Sequence, residues 1–386
     1  MTGASNGEIK RVLVLSGGGG RGAYQVGVCQ YLENADPPWR PDMVLANSIG
    51  ATNGAMLIAP RGERSGARLL DRVWRTEMLS DRIQEVSGAW ARPLHEIMRL
   101  ALGILLRLQR PSACRPAHAA LRSRLARPVT AGPPAREARG GLGPMGGLVG
   151  KVKEWIGKLR RWFETRLEAF LEQLKSSTEK LLGELAIMER TGWRDVLVRH
   201  VDFDRLNGPD GPYFGVAVTD VSTGALRMFW NRVPGGVQGT RSRITVDHLM
   251  ASSSIPGVYA STSVDGRYYW DGALAANAPI APAIAVGATD IVVVLMTPWV
   301  ERPEGADVPA EDDAPTVLHA LERFMDWMML SSFRREWSQL SEEQKRRITI
   351  VAPGEFQGLV SIIDYDEKDN ATLIACGMKD AEEALG

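Results

Sequence analysis

The stretch MVLANSIGATNGA, residues 43–55, decides how the rest of the chain is read. Its first four residues form an apolar run that suits a buried strand. At Ser48 the character changes, and the small residues Gly50, Ala51, Gly54 and Ala55 follow. A strand that turns sharply into a helix strains the residue at the turn and pushes its side chain outward. Small neighbours two positions to either side let strand and helix pass close together. This is the nucleophile-elbow pattern G-x-S-x-G, with Ala46 in place of the first glycine. Taken alone, the pattern also fits a serine that caps a helix N-terminus, and both readings stand at this point.

Toward the N-terminus, residues 11–16 (RVLVLS) read as a first buried strand. Four glycines, Gly17 to Gly20, follow at once, then Arg21, Gly22 and a helical pattern from Ala23 to Glu33. A strand, a glycine loop and a helix in succession offer backbone N–H groups to an anion or a developing oxyanion. Gly17, Gly19 and Gly22 satisfy the dinucleotide-binding G-x-G-x-x-G. That fold wants an acidic residue at the end of the second strand, whereas this strand ends in Asn47-Ser48 and Asp42 lies at its beginning. A Walker loop needs Lys and Ser or Thr after its last glycine, and Ala23-Tyr24 supplies neither. An oxyanion hole needs a glycine loop and a serine at the tip of the adjacent strand, and both are present.

With these motifs the chain resembles the patatin-like phospholipase family. The family's G-G-G-x-[RK]-G matches the run ending at Gly22, with Arg21 in the basic place. Its G-x-S-x-G matches Ala46 to Gly50, the alanine being a departure, and its D-G-[GA] matches Asp271-Gly272-Ala273. Residues 250–257 (MASSSIPG) and 265–279, which end in Asn277-Ala278-Pro279, resemble the family's flanking blocks. The likeness covers residues 9–75 and 190–300. It implies a three-layer α/β/α fold, a Ser–Asp dyad and acyl-ester hydrolysis of lipids.

The residues agree with that chemistry. A serine hydroxyl needs a base to take its proton. Asp271 follows Tyr268, Tyr269 and Trp270, and burial there would raise its pKa toward usefulness as a base. None of the five histidines is placed to replace it; His248 reads as a helix residue behind the turn at residues 252–257. The expected site is therefore Ser48 as nucleophile and Asp271 as general base. Backbone N–H groups of Gly18, Gly19 and Gly20 hold the oxyanion, and Arg21 orients a phosphate or the loop itself. No metal or cofactor is implied.

The 386-residue chain is long enough for one large domain or two. Its formal net charge is zero, so no global field draws it to nucleic acid or membrane. Cys29, Cys114 and Cys376 form no metal-ligand spacing, and the expectation is a reducing compartment. Neither a signal peptide nor a membrane span is expected, since no apolar run approaches about 18 residues.

Residues 63–96 read as helical. Residues 97–136 then carry eight arginines and no Asp or Glu. They fit a mobile insertion or a basic patch for anionic headgroups. In residues 151–189 an apolar stripe runs through Val152, Ile156, Leu159, Phe163, Leu167 and Phe170 in steps of 4 and 3. The steps follow an eleven-residue repeat that keeps one face of a straight helix apolar. Trp155 and Trp162 flank the stripe and Lys and Arg crowd its first half. Such a helix fits a lipid interface or a lid packed on protein. Beyond it, residues 213–220, 226–230, 290–296 and 347–352 read as strands, and 316–340 and 367–385 as helices.

The resulting expectation is an α/β protein: a three-layer α/β/α patatin-like fold with a mostly parallel sheet and a helical insertion. The catalytic domain spans residues 9–300, interrupted at about 97–189, and residues 301–386 complete it. The expected function is a cytoplasmic serine acyl hydrolase acting on lipid or phospholipid. Residues 151–185 would make peripheral membrane contact, a protein activator is allowed for, and nucleic acid is not a partner. The alternative is a catalytically inactive scaffold acting as a membrane-associated interaction protein, motivated by Ala46 and the long insertion.

Overall fold

The structure is a computed structural model, and it describes residues 9–83, 85–86, 186, 188–299, 317–354 and 365–386. In chain order the elements that matter begin with β1 (Arg11–Leu15), α1 (Ala23–Asn34), β2 (Met43–Asn47), α2 (Ile49–Ile58), α3 (Gly66–Thr76), β3 (Glu85–Val86), β4 (Met188–Glu189) and α4 (Thr191–His200). They continue with β5 (Tyr213–Asp220), β6 (Leu226–Trp230), β7 (Thr240–Arg241), α5 (Val246–Ser252), β8 (Thr262–Val264), β9 (Arg267–Asp271), α6 (Ala281–Ala285), β10 (Asp290–Val294), α7 (Val317–Ser338), β11 (Ile348–Val351) and α8 (Glu367–Leu385).

The main sheet runs β11-β10-β1-β2-β5-β6-β7. Its first five strands are parallel, and β6 and β9 join β5 antiparallel. Continuous apolar runs such as VLVL and MVLA suit this position because both faces of a parallel sheet are covered. Successive side chains divide between the two faces. Leu13, Leu15, Val44, Ala46, Val292 and Val294 pack in one core with residues of α1, α2, α3, α4 and α8. Val12, Val14, Met43, Leu45, Ile291 and Val293 pack in a second core with Ala283 of α6 and with Leu330, Phe333 and Trp337 of α7. The sheet is thus the middle layer of three, as the resemblance implied.

Helices α1 and α8 cross backbone against backbone. A Cβ on Gly27 would lie 2.0 Å from the Ile374 carbonyl oxygen, and one on Gly377 would lie 2.0 Å from that of Tyr24. Only a hydrogen at each position allows this approach.

Two features differ from the sequence reading. Residues 63–96 are not one helix: α3 ends at Thr76, a single turn follows at Ser80–Ile83, and β3 pairs antiparallel with β4. The N–H groups of Glu77 and Met78 both donate to the Val73 carbonyl, closing the helix, and the Ser80 N–H turns out to the Tyr365 carbonyl at 3.0 Å. A contact with the far end of the chain thus overrides local periodicity. The second difference is β9, a strand that the sequence did not announce. Cys29 is buried and free. Almost all of the insertion expected at residues 97–189, including the 151–185 helix and the basic 97–136 segment, lies outside the described residues.

Candidate active site

The site is made by two strands that share one lane of the sheet from opposite directions. Strand β2 pairs with β5 as far as Asn47 opposite Ala217. The next residue of β5, Val218, faces Asp271 of β9. The tip of β2 and the last residue of β9 therefore meet end to end, and Ser48 and Asp271 come together.

Ser48 has φ 53° and ψ −127°, a region costing a residue with a side chain on the order of 1–3 kcal/mol. Its surroundings enforce it. The Ser48 N–H donates to Ser252 Oγ at 2.8 Å, and that hydroxyl donates in turn to the Ala217 carbonyl at 2.7 Å. A Cβ on Gly50 would sit 2.4 Å from the Leu15 carbonyl oxygen, so this glycine is needed for α2 to leave β2 so sharply. Ala46 is fully buried in the core under α2, where its methyl group is packed. Ser48 occupies the N-cap position of α2, yet its hydroxyl caps nothing. It lies instead where it lowers the pKa of the Asp271 carboxylate.

Asp271 is 3 % exposed. Its Oδ1 accepts the Ala273 N–H at 2.8 Å. Burial raises its pKa to about 6, while Ser48, the Ala273 N–H, the charge of Arg190 and Asn47 lower it. The group is therefore ionised at neutral pH and far more basic than an ordinary aspartate.

The glycine loop lies against this pair. The Gly17 N–H is taken by Asn277 Oδ1 at 2.9 Å, and the same oxygen accepts Asn47 Nδ2 at 3.0 Å. One asparagine so ties the loop to the tip of β2. Gly19 has φ 59° and opens a short 3-10 turn through Gly22. Among the described residues, the N–H groups of Gly18, Gly19 and Gly20 meet no acceptor, which is the arrangement an oxyanion requires. Arg21 is buried, with Nη1 donating to the Met296 carbonyl at 3.4 Å. This bond ties the loop to the segment just after β10.

Arg190 escaped the sequence reading. It is a lone arginine beside an amphipathic segment, and nothing in its local pattern distinguishes it. The fold buries it among the carbonyls at the end of α5. His248 lies in α5, with Nε2 on Ser242 and Nδ1 on Thr245, and His200 pairs with Glu77; neither touches the pair. Among the described residues no group of three His, Cys, Asp or Glu could hold a metal ion. Two cavities, of about 220 and 510 Å³, open elsewhere, and neither is lined by Ser48 or Asp271.

Among solved structures, that of VipD from Legionella pneumophila aligns with 98% of this chain and 67% of its own, at 15% identity and a TM-score of 0.39. No curated protein matches the chain. The family model for patatin-like phospholipase matches residues 13–284, a span that runs from β1 through α6 and takes in the glycine loop, Ser48 and Asp271. The chain belongs to the patatin-like phospholipase family.

Proposed function

We propose that this protein hydrolyses fatty-acyl esters of lipids or phospholipids, with Ser48 as nucleophile and Asp271 as general base. The observation that carries the reading is the meeting of a strained serine at the tip of β2 with a buried carboxylate of raised pKa at the end of β9. In the proposed cycle, Ser48 Oγ attacks the acyl carbonyl carbon as its proton passes to Asp271. The N–H groups of Gly18, Gly19 and Gly20 receive the oxyanion, a contribution worth about 100-fold or more per donor. Collapse breaks the ester bond, and Asp271 returns the proton to the departing alcohol. Water then attacks the acyl-serine with Asp271 again as base, releasing the fatty acid. Arg21 keeps the loop in place. The basic and amphipathic residues 97–189, read from sequence alone, support contact with a lipid surface.

The test is turnover of a short-chain nitrophenyl ester and of mixed phospholipid vesicles by the parent and by Ser48→Ala. Hydrolysis by the parent and its loss in a folded Ser48→Ala variant are expected. A folded parent inert on both substrates would leave the non-catalytic scaffold as the better reading.

A further inference from the structure

Arg190 stands between β4 and α4. Its side chain is buried. Nη1 donates to the carbonyls of Met250 at 3.1 Å and Ser253 at 2.8 Å, and Nη2 to Ser254 Oγ at 2.9 Å. The guanidinium lies over the Tyr259 ring, 4.5 Å from its centroid. The two carbonyls lie at and just past the C-terminal end of α5, and each also accepts a backbone N–H, from Ser253 and from Ile255. A planar fork of N–H groups matches such a cluster in a way that a lysine does not.

What Arg190 holds is the turn that holds the site. Within that turn, Ser252 Oγ accepts the Ser48 N–H at 2.8 Å. Two residues on, the Ser254 carbonyl accepts the Asp271 N–H at 2.9 Å. One short segment thus fixes the backbone of both members of the pair, and Arg190 is bonded on either side of these contacts. Arg190 is also the only cation found to act on Asp271 among the described residues. The other groups facing that carboxylate are Ser48 and Asn47 from the β2 tip, the Ala273 N–H, and the phenols of Tyr259 and Tyr365. Burial keeps both phenols neutral through the working range, and Arg190 itself, lowered to about 10, stays charged.

We infer that Arg190 is a positioning residue for the Ser48–Asp271 pair, fixing its geometry through the turn at residues 250–254. The inference rests on the hydrolase reading above.

The experiment compares ester turnover from pH 5 to 9 for the parent, Ser48→Ala, Arg190→Lys and Arg190→Met, with folding followed by circular dichroism. Arg190→Met should lower kcat on the order of 100-fold through misplacement of the pair. The acid limb of its kcat/KM profile should move up by about 1 pH unit, because an opposite charge near the carboxylate has gone. Arg190→Lys keeps the charge and loses the fork, so kcat should fall about tenfold with the acid limb unmoved. Both variants sharing one rate loss and the parental acid limb would overturn the inference in favour of a merely structural arginine, as would parental kcat in either variant. Should Arg190→Met fail to fold, Arg190→Lys decides: a fall in kcat with KM and acid limb held supports the inference, and unchanged kcat overturns it. Ser48→Ala separates the two levels. Activity surviving in that variant sinks the hydrolase reading, whereas activity lost there but untouched in the Arg190 variants sinks only the inference.

Discussion

Replacing Asp271 by Asn should make a protein that is more stable and nearly inactive. The substitution keeps the size of the side chain and an oxygen for the Ala273 N–H, and removes the charge. The folded pKa is about 6 against an ordinary 3.8, with burial the largest cause. A difference of about 2 units, at 1.36 kcal/mol each, corresponds to about 3 kcal/mol. The sign follows from proton binding. Between these two pKa values the folded protein holds a proton that the unfolded chain has released, so stability declines as pH rises through that window. The cost of burying the carboxylate is absent below about pH 3.8, where both states are protonated, and complete above about pH 6. The neutral amide of the Asp271→Asn variant never carries that cost. At pH 7 the variant should therefore be more stable by up to about 3 kcal/mol, or about 4 °C in melting temperature for a chain of this size. The gain should shrink steadily as pH falls from about 6 toward about 4. Melting curves of the two proteins across that range provide the measurement. In parallel, ester turnover should fall by about 10²- to 10⁴-fold through loss of the base. A variant less stable than its parent at pH 7, or one whose advantage does not depend on pH, would refute the account of Asp271 as a carboxylate buried at a cost. Turnover within tenfold of the parent would place the base elsewhere.

Three further outcomes are expected. Gly19→Ala puts a methyl group where φ is 59°, costing about 1–2 kcal/mol of backbone strain and shifting the loop amides. Its ester turnover should drop about 100-fold, and a parental rate would remove the loop from the chemistry. Gly377→Ala drives a Cβ to within 2.0 Å of the Tyr24 carbonyl oxygen; α1 and α8 must part, at a cost toward the upper end of the roughly 1–3 kcal/mol of overpacked cores. An unchanged melting temperature would show that the two helices do not cross this closely. If residues 151–185 bring the enzyme to anionic lipid, vesicle binding should weaken as salt rises, since charges are screened beyond about 10 Å at 0.1 M. Phe163→Glu with Phe170→Glu should abolish that binding and spare a soluble ester, and salt-independent binding would argue against the role.

Much of this protein was legible in its sequence. Short apolar runs marked β1, β2, β5 and β10 because a parallel sheet buries both faces of its strands. The glycine loop and residues 46–50 marked the site because local backbone geometry demands small residues there, and Gly50 against the Leu15 carbonyl shows why. The ranges read for α1, α7 and α8 lie within a few residues of those observed. What the sequence could not decide was everything set by contacts between distant segments. β9 carries no alternating pattern of its own and becomes a strand by taking over the edge of β5 that β2 vacates. The break after α3 comes from a hydrogen bond to Tyr365. Arg190, one charged residue after Glu189 and an amphipathic segment of mixed charge, looks like a solvated surface group. It becomes part of the site only when the end of α5 presents it with two carbonyls and a hydroxyl. Local sequence encodes which backbone shapes are allowed; which charge ends up buried beside which carboxylate is fixed only when the chain closes on itself.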